Sequence, residues 1–91
     1  MPEYSVFLHR KALKALEELQ QQEVKEKIKE TIQSLTRYPL SLRDIDVEKL
    51  QGLERAFRIR VGRYRVIFQV DKQERTIFVT HIEKRESVYE G

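Results

Sequence analysis

Cysteine is absent from this 91-residue chain, which excludes both a disulfide scaffold and a thiolate metal site. Histidine is scarce: His9 and His81 are too few for a zinc site unless carboxylates join them. No stretch approaches the roughly 20 apolar residues that a membrane helix needs, and the N-terminus lacks the apolar run of a signal peptide. The expected compartment is therefore the cytoplasm, with no membrane partner. A P-loop, a glycine-rich dinucleotide fingerprint, a serine triad and a metal-ligand cluster are missing too, so neither metal nor cofactor is expected. Any chemistry has to come from charged and polar side chains.

Those are abundant. Charged residues make up 36% of the chain and apolar residues 40%, so a core forms only if the apolar residues are well patterned. The length suits one domain, residues 1–91. The net charge of +3 is unevenly placed. Residues 1–48 carry eight Lys/Arg against nine Asp/Glu, and residues 49–91 carry ten against six. The basic character belongs to the second half.

The apolar spacing predicts an α+β fold in the order β-α-α-β-β-β. Tyr4 to Leu8 suits a strand. Ala12, Leu13, Ala15, Leu16 and Leu19 mark one helical face, and Gln20-Gln21-Gln22 breaks it. Val24, Ile28, Ile32, Leu35 and Tyr38 mark a second helix, which Pro39 ends. Leu40 to Gly52 reads as a loop pinned to the core by Leu42, Ile45, Val47 and Leu50. Two hairpin strands follow, and a third runs from Thr76 to Glu83. Its apolar residues switch parity, Ile77 and Val79 against Phe78 and Ile82, as in a strand covered on both faces. The expected architecture is a small antiparallel sheet with a helix hairpin packed on one face, the first strand joining beside the last.

The hairpin carries the functional signal. Five arginines stand between Arg55 and Arg65 with no acid among them. In Phe57-Arg58-Ile59-Arg60-Val61 apolar and cationic residues alternate, Gly62-Arg63 suits a type II′ turn, and Tyr64 to Val70 forms the return strand. In that register Ile59 faces Val66, Phe57 faces Phe68, and Arg60 faces Arg65. Like charges opposite one another are destabilising, so such a face suggests an anionic partner, a polyphosphate chain above all. Arginine holds phosphate by a planar fork of donors and stays charged, which suits a transition state gathering negative charge on oxygen. The tail adds Lys84, Arg85 and Tyr89, whose phenolate neighbouring cations would favour. A solvated strand face is the plain alternative for the arginines, and a structural position is the plain one for His81. Glu48 and Glu83 are possible bases, though nothing in their spacing singles them out.

With these elements in order, the sequence resembles the RelE/ParE superfamily of toxins from bacterial and archaeal toxin–antitoxin systems, and its RelE-like branch in particular. The resemblance runs through the first strand and the Arg10–Leu19 helix, the Lys49–Val70 segment with its Lys-Leu-x-Gly and Tyr-Arg-Val elements, and the Lys84–Tyr89 tail. It implies a ribosome-dependent endoribonuclease, an mRNA interferase, that cuts messenger RNA in the ribosomal A site. There the RNA 2′-hydroxyl attacks its own adjacent phosphate without a metal. The resemblance implies Arg65, Arg85 and Tyr89 as catalytic, and Lys49, Arg58, Arg60, Arg63 and Lys84 as RNA-binding. The implied partners are a RelB-like antitoxin, mRNA with 16S rRNA at the A site, and operator DNA only through the antitoxin complex.

The chain departs from the family pattern at Arg58 and Arg60, where well-studied members carry lysines. Lysine serves as a general base when its pKa is depressed, and arginine does not, so the base is left open. Two other readings use the same fold: a ParE-like inhibitor of DNA gyrase, and an antitoxin-binding module without catalysis. Retention of Arg85 and Tyr89 after a cationic hairpin favours RNA cleavage.

Overall fold

A computed structural model describes residues 3–43, 46–50 and 55–84. Strand β1 (Ser5–Leu8) leads into helix α1 (Arg10–Glu17), followed by helix α2 (Gln22–Ser34) and single 3₁₀ turns at Leu35–Arg37 and Leu40–Leu42. Strands β2 (Val47–Lys49), β3 (Ala56–Val61), β4 (Tyr64–Asp71) and β5 (Thr76–Lys84) complete the chain. His9 starts α1, its extended backbone letting the side chain accept from the Lys11 amide at 3.1 Å and so satisfy one orphan donor of the first turn. The two helices are tied where they meet by Lys25 Nζ, which donates to the Glu17 carbonyl at 3.3 Å. No helix among the described residues is long and apolar enough to cross a membrane.

The α+β fold with two helices on one sheet face is as the sequence predicts. The sheet differs in two details. It has five strands in the order β1-β5-β4-β3-β2, because three residues of the expected loop pair with β3 as β2. It is also mixed: β1 lies beside β5, as expected, but parallel to it, while the other pairs are antiparallel. A three-residue strand is too short to display a period, and strand direction leaves no mark on side-chain alternation.

One face of the sheet and the inner faces of the helices form the core. Ala12 and Leu16 from α1 meet Ile28, Ile32 and Leu35 from α2 and its following turn, over Ile59, Val66, Phe68, Ile77, Val79 and Ile82. Leu13, expected on the buried face of α1, is instead 44% exposed. Phe57 stacks on Phe68 with ring centroids 5.5 Å apart, as their cross-strand pairing requires. Beside them Tyr38 is partly buried, and that burial, with Tyr4 close by, raises its hydroxyl above the usual tyrosine value against the opposing effect of Arg55.

The parity switch in β5 has a local cause. Ile67 pairs with His81 but Phe68 pairs with Val79, which leaves Thr80 as an extra residue, a β-bulge. The Thr80 hydroxyl donates to the Ile67 carbonyl at 3.3 Å, fixing the irregularity. Beyond the bulge Ile82 returns to the side of Ile77 and Val79, and all three are buried, whereas Phe78 is 46% exposed. The strand is therefore covered on one face, and an inserted residue accounts for the pattern that suggested two.

The turn between β3 and β4 follows its sequence. Gly62 has φ of 59°, and Arg63 is not among the positive-φ residues, as a type II′ turn demands. A Cβ at Gly62 would meet nothing within 4 Å, so only the backbone opposes a side chain. Gly62→Ala is expected to lower stability by about 1–2 kcal/mol, the cost of a left-handed non-glycine residue, read from the urea midpoint.

Candidate functional site

The face of the sheet opposite the helices is open, and strand alternation places the arginines there. Arg58 and Arg60 of β3 project from it, flanked by Glu48 of β2 and Arg65 of β4, with Glu83 of β5 beyond. Asp46, Glu48, Arg58, Arg60 and Arg65 line one cavity of about 280 Å³. The direct pairing of Arg60 with Arg65 is present as the sequence predicts.

The acids come from the neighbouring strands. Arg58 Nη2 donates to Glu48 Oε1, in a pair set by their cross-strand register. Arg60 donates to Asp46 Oδ2 from Nε at 2.9 Å and from Nη2 at 2.8 Å, while the Arg60 amide donates to the Asp46 carbonyl at 3.0 Å. Arg65 Nη2 lies 3.6 Å from Glu83 Oε1. Three guanidinium groups thus face three carboxylates, and this part of the site is close to neutral rather than strongly cationic. That arrangement relieves the repulsion between Arg60 and Arg65. The segment from Arg55 to Arg65 contains no acid, but Asp46, Glu48 and Glu83 supply what it lacks.

The three ion pairs differ in exposure, which decides how easily a ligand displaces them. The Asp46 and Glu48 side chains are 59% and 64% exposed, so their pairs are screened and contribute about 0–1 kcal/mol each. Arg65 is the most enclosed of the three guanidinium groups at 26% exposure, and its Nε is shielded from solvent without a hydrogen-bond partner among the described residues. It therefore has an unused donor beside a cavity of mixed charge. An incoming phosphodiester would exchange a loosely held carboxylate for a bidentate partner of the same single charge, one that gains further negative charge in the transition state.

His81 shares the open face, opposite Ile67. Its Nδ1 lies 3.0 Å from the Thr80 hydroxyl. That hydroxyl spends its hydrogen on the Ile67 carbonyl. It therefore accepts from Nδ1–H, which leaves Nε2 as the imidazole's proton acceptor. Among the described residues no group of three or more His, Asp or Glu side chains is placed to hold a metal ion.

The remaining sequence-selected residues do not join this groove. Arg63 and Lys84 flank a different cavity, with Tyr64, Leu19 and Val24, where the hairpin end meets the helices. Lys49 pairs with Phe57 and so shares the helix side of the sheet, with its side chain exposed at the edge. Arg85 and Tyr89 lie outside the described residues. The sequence missed Asp46 altogether and gave Glu48 and Glu83 no distinguishing mark. Their alignment with arginines depends on strand register between separate elements.

Comparison with known proteins agrees with this geometry. A family model for the ParE toxin of the type II toxin-antitoxin system parDE matches residues 6–89. A Methanocaldococcus jannaschii protein named "Putative toxin RelE1" is 32% identical over 88 residues, 97% of either chain. The archaeal RelE–RelB complex from Pyrococcus horikoshii contains a chain that superposes with a TM-score of 0.78 at 30% identity, covering 93% of this chain and 97% of that one. The isolated E. coli RelE toxin superposes with a TM-score of 0.76 at 26% identity, covering 94% and 90%.

Proposed function

From a chain that belongs to the RelE/ParE superfamily of type II toxin–antitoxin toxins, and is RelE-like within it, we propose a ribosome-dependent mRNA endoribonuclease acting in the A site. The observation that carries this reading is the open-face groove, where Arg65, opposite Arg60 and beside Arg58, offers a shielded donor with no partner among the described residues. The 2′-hydroxyl oxygen of one nucleotide attacks the adjacent phosphorus, and the bond to the following 5′-oxygen breaks. The products are a 2′,3′-cyclic phosphate and a 5′-hydroxyl. Arg65 grips the scissile phosphate and balances the charge that grows on its oxygens, with Arg58 and Arg60 as electrostatic support. Arg85 and Tyr89 complete the site from the tail: Arg85 as a second phosphate ligand, Tyr89 against the nucleotide.

Arginine does not take the 2′-hydroxyl proton. Among the described groups next to the arginines, the acceptors are the carboxylates of Asp46, Glu48 and Glu83, with the Nε2 of His81 further along β5. The protein partner in this reading is a RelB-like antitoxin, as in the P. horikoshii complex. Operator DNA is reached only through that complex, and mRNA and 16S rRNA are met in the ribosome.

The test is primer extension on ribosomes stalled with a defined codon in the A site. A new RNA 5′ end within that codon, absent without ribosomes, is the expected result. An intact message in the presence of folded protein would favour the ParE-like gyrase inhibitor, whose family model also matches the chain. DNA supercoiling would then be the next assay, and no effect there would leave a catalytically inactive, antitoxin-binding module.

The groove acids add a binding prediction. Asp46→Asn removes one competing charge, so affinity for a 2′-O-methyl RNA hexamer should rise roughly tenfold at low salt, with a steeper salt dependence. Fluorescence anisotropy across a salt series checks this. Unchanged affinity would mean that phosphate does not displace the Asp46–Arg60 pair.

A further inference from the structure

Two aromatic rings stand on the open face away from the arginines. Phe7 of β1 and Phe78 of β5 are register partners, 53% and 46% exposed, and stack with ring centroids 5.7 Å apart and planes inclined by 27°. Neither belongs to the core, which β5 faces with Ile77, Val79 and Ile82 and β1 with Val6 and Leu8. Leaving two large rings half in water on adjacent strands gives up about 25 cal/mol for each Å² of apolar surface that burial would have removed. Phe78 pairs across strands with Gln69, and His81 follows on the same face beyond the bulge. The rings are therefore bordered by side chains that donate and accept hydrogen bonds.

The platform is continuous with the arginine groove. Gln69 and Arg65 lie four residues apart on β4, about 13 Å at the usual strand rise, with Ile67 between them on that face. A single nucleic-acid strand with a phosphate at Arg65 can run along β4 and reach the rings. Aromatic side chains exposed on a sheet face are how several RNA-binding folds hold unpaired bases, because every base has a π-face to stack. Two half-exposed rings fall far short of the roughly 800 Å² per partner of a stable protein–protein contact, and their borders are polar. A flat base, stacked on one ring with its edge against Gln69, suits the patch better than an apolar helix.

We propose that Phe7 and Phe78 form a base-stacking platform for the RNA strand whose phosphate occupies the arginine groove, with Gln69 and His81 meeting the edges of the stacked bases. This rests on the ribonuclease reading of that groove. It makes the β1–β5 half of the open face a second subsite, one that senses bases rather than phosphates. Stacking tolerates any base, so the platform adds affinity, while Gln69 and His81 supply what discrimination it has.

The probe is a fluorescein-labelled 2′-O-methyl RNA hexamer at low salt, measured by anisotropy with the intact chain, Phe7→Ala, Phe78→Ala, Phe78→Trp and Arg65→Ala. Circular dichroism and thermal melting confirm that each variant is folded. Each alanine variant should bind about tenfold more weakly with an unchanged salt slope, Phe78→Trp should retain affinity, and Arg65→Ala should weaken binding with a shallower slope. Abasic nucleotides in the probe should erase the difference between the unaltered protein and the Phe variants. Undiminished binding by both alanine variants, with Arg65→Ala still impaired, would overturn the platform and leave the ribonuclease reading standing. Variants that keep RNA affinity but lose the antitoxin would place the rings in a protein contact and overturn it as well. No RNA binding by the unaltered protein, together with no cleavage on programmed ribosomes, would remove both.

Discussion

Arg65→Ala is expected to slow message cleavage on programmed ribosomes about 100- to 1,000-fold while leaving the fold intact. The magnitude follows from losing a preorganised donor aimed at developing charge, in a site where Arg65 is the most enclosed of the three guanidinium groups. Among the described residues its Nε has no hydrogen-bond partner. Little stability depends on it. The nearest carboxylate, Glu83, sits 3.6 Å away and is 44% exposed, which makes the pair a weak, screened one worth about 0–1 kcal/mol. Arg65→Lys keeps the charge and loses the planar fork, so activity should return only in part. Single-turnover cleavage and a melting curve on the same samples separate the outcomes. Full activity in Arg65→Ala would mean that the scissile phosphate lies elsewhere. An unfolded variant would make Arg65 a structural residue, bracing the hairpin through its stem.

Phe68→Ala should do the opposite, reducing stability by about 3–5 kcal/mol. Phe68 is fully buried on β4, a central strand, between Phe57 of β3 and Val79 of β5. Removing its ring takes away the stacking with Phe57 and leaves a cavity that the surrounding strands, hydrogen-bonded on both sides, cannot collapse to fill. A small domain has about 5–15 kcal/mol in total, so the variant loses roughly a fifth or more of its margin. Urea unfolding should show a lower midpoint with an unchanged slope. Any residual folded fraction should still cleave, since Phe68 points away from the open face. A loss within 1 kcal/mol would mean that the sheet and helices repack around the gap.

The amphipathic spacing of α2 was legible because Val24, Ile28, Ile32 and Leu35 are consecutive contacts on one helical stripe, a property of local geometry alone. The β3–β4 hairpin was legible for the same reason. Its turn, its alternation and the opposition of Arg60 to Arg65 all follow from two strands joined by two residues. β5 was misread because Thr80 is inserted by its pairing with β4, and a bulge shifts side-chain parity without changing composition.

The sequence by itself determined the α+β composition, the helical stripes, the arginine hairpin and the family, because each is written in short-range spacing or in ordered motifs. Only the tertiary structure decided which acids meet which arginines. Asp46, Glu48 and Glu83 reach the hairpin from elements up to 18 residues distant in sequence, through strand registers that no local pattern encodes. The same is true of the parallel placement of β1, which sets Phe7 beside Phe78 across 71 residues of chain. A strand pair is selected by the burial of whole faces, an energy shared among all the elements that pack there, and that sum is not readable at any one position.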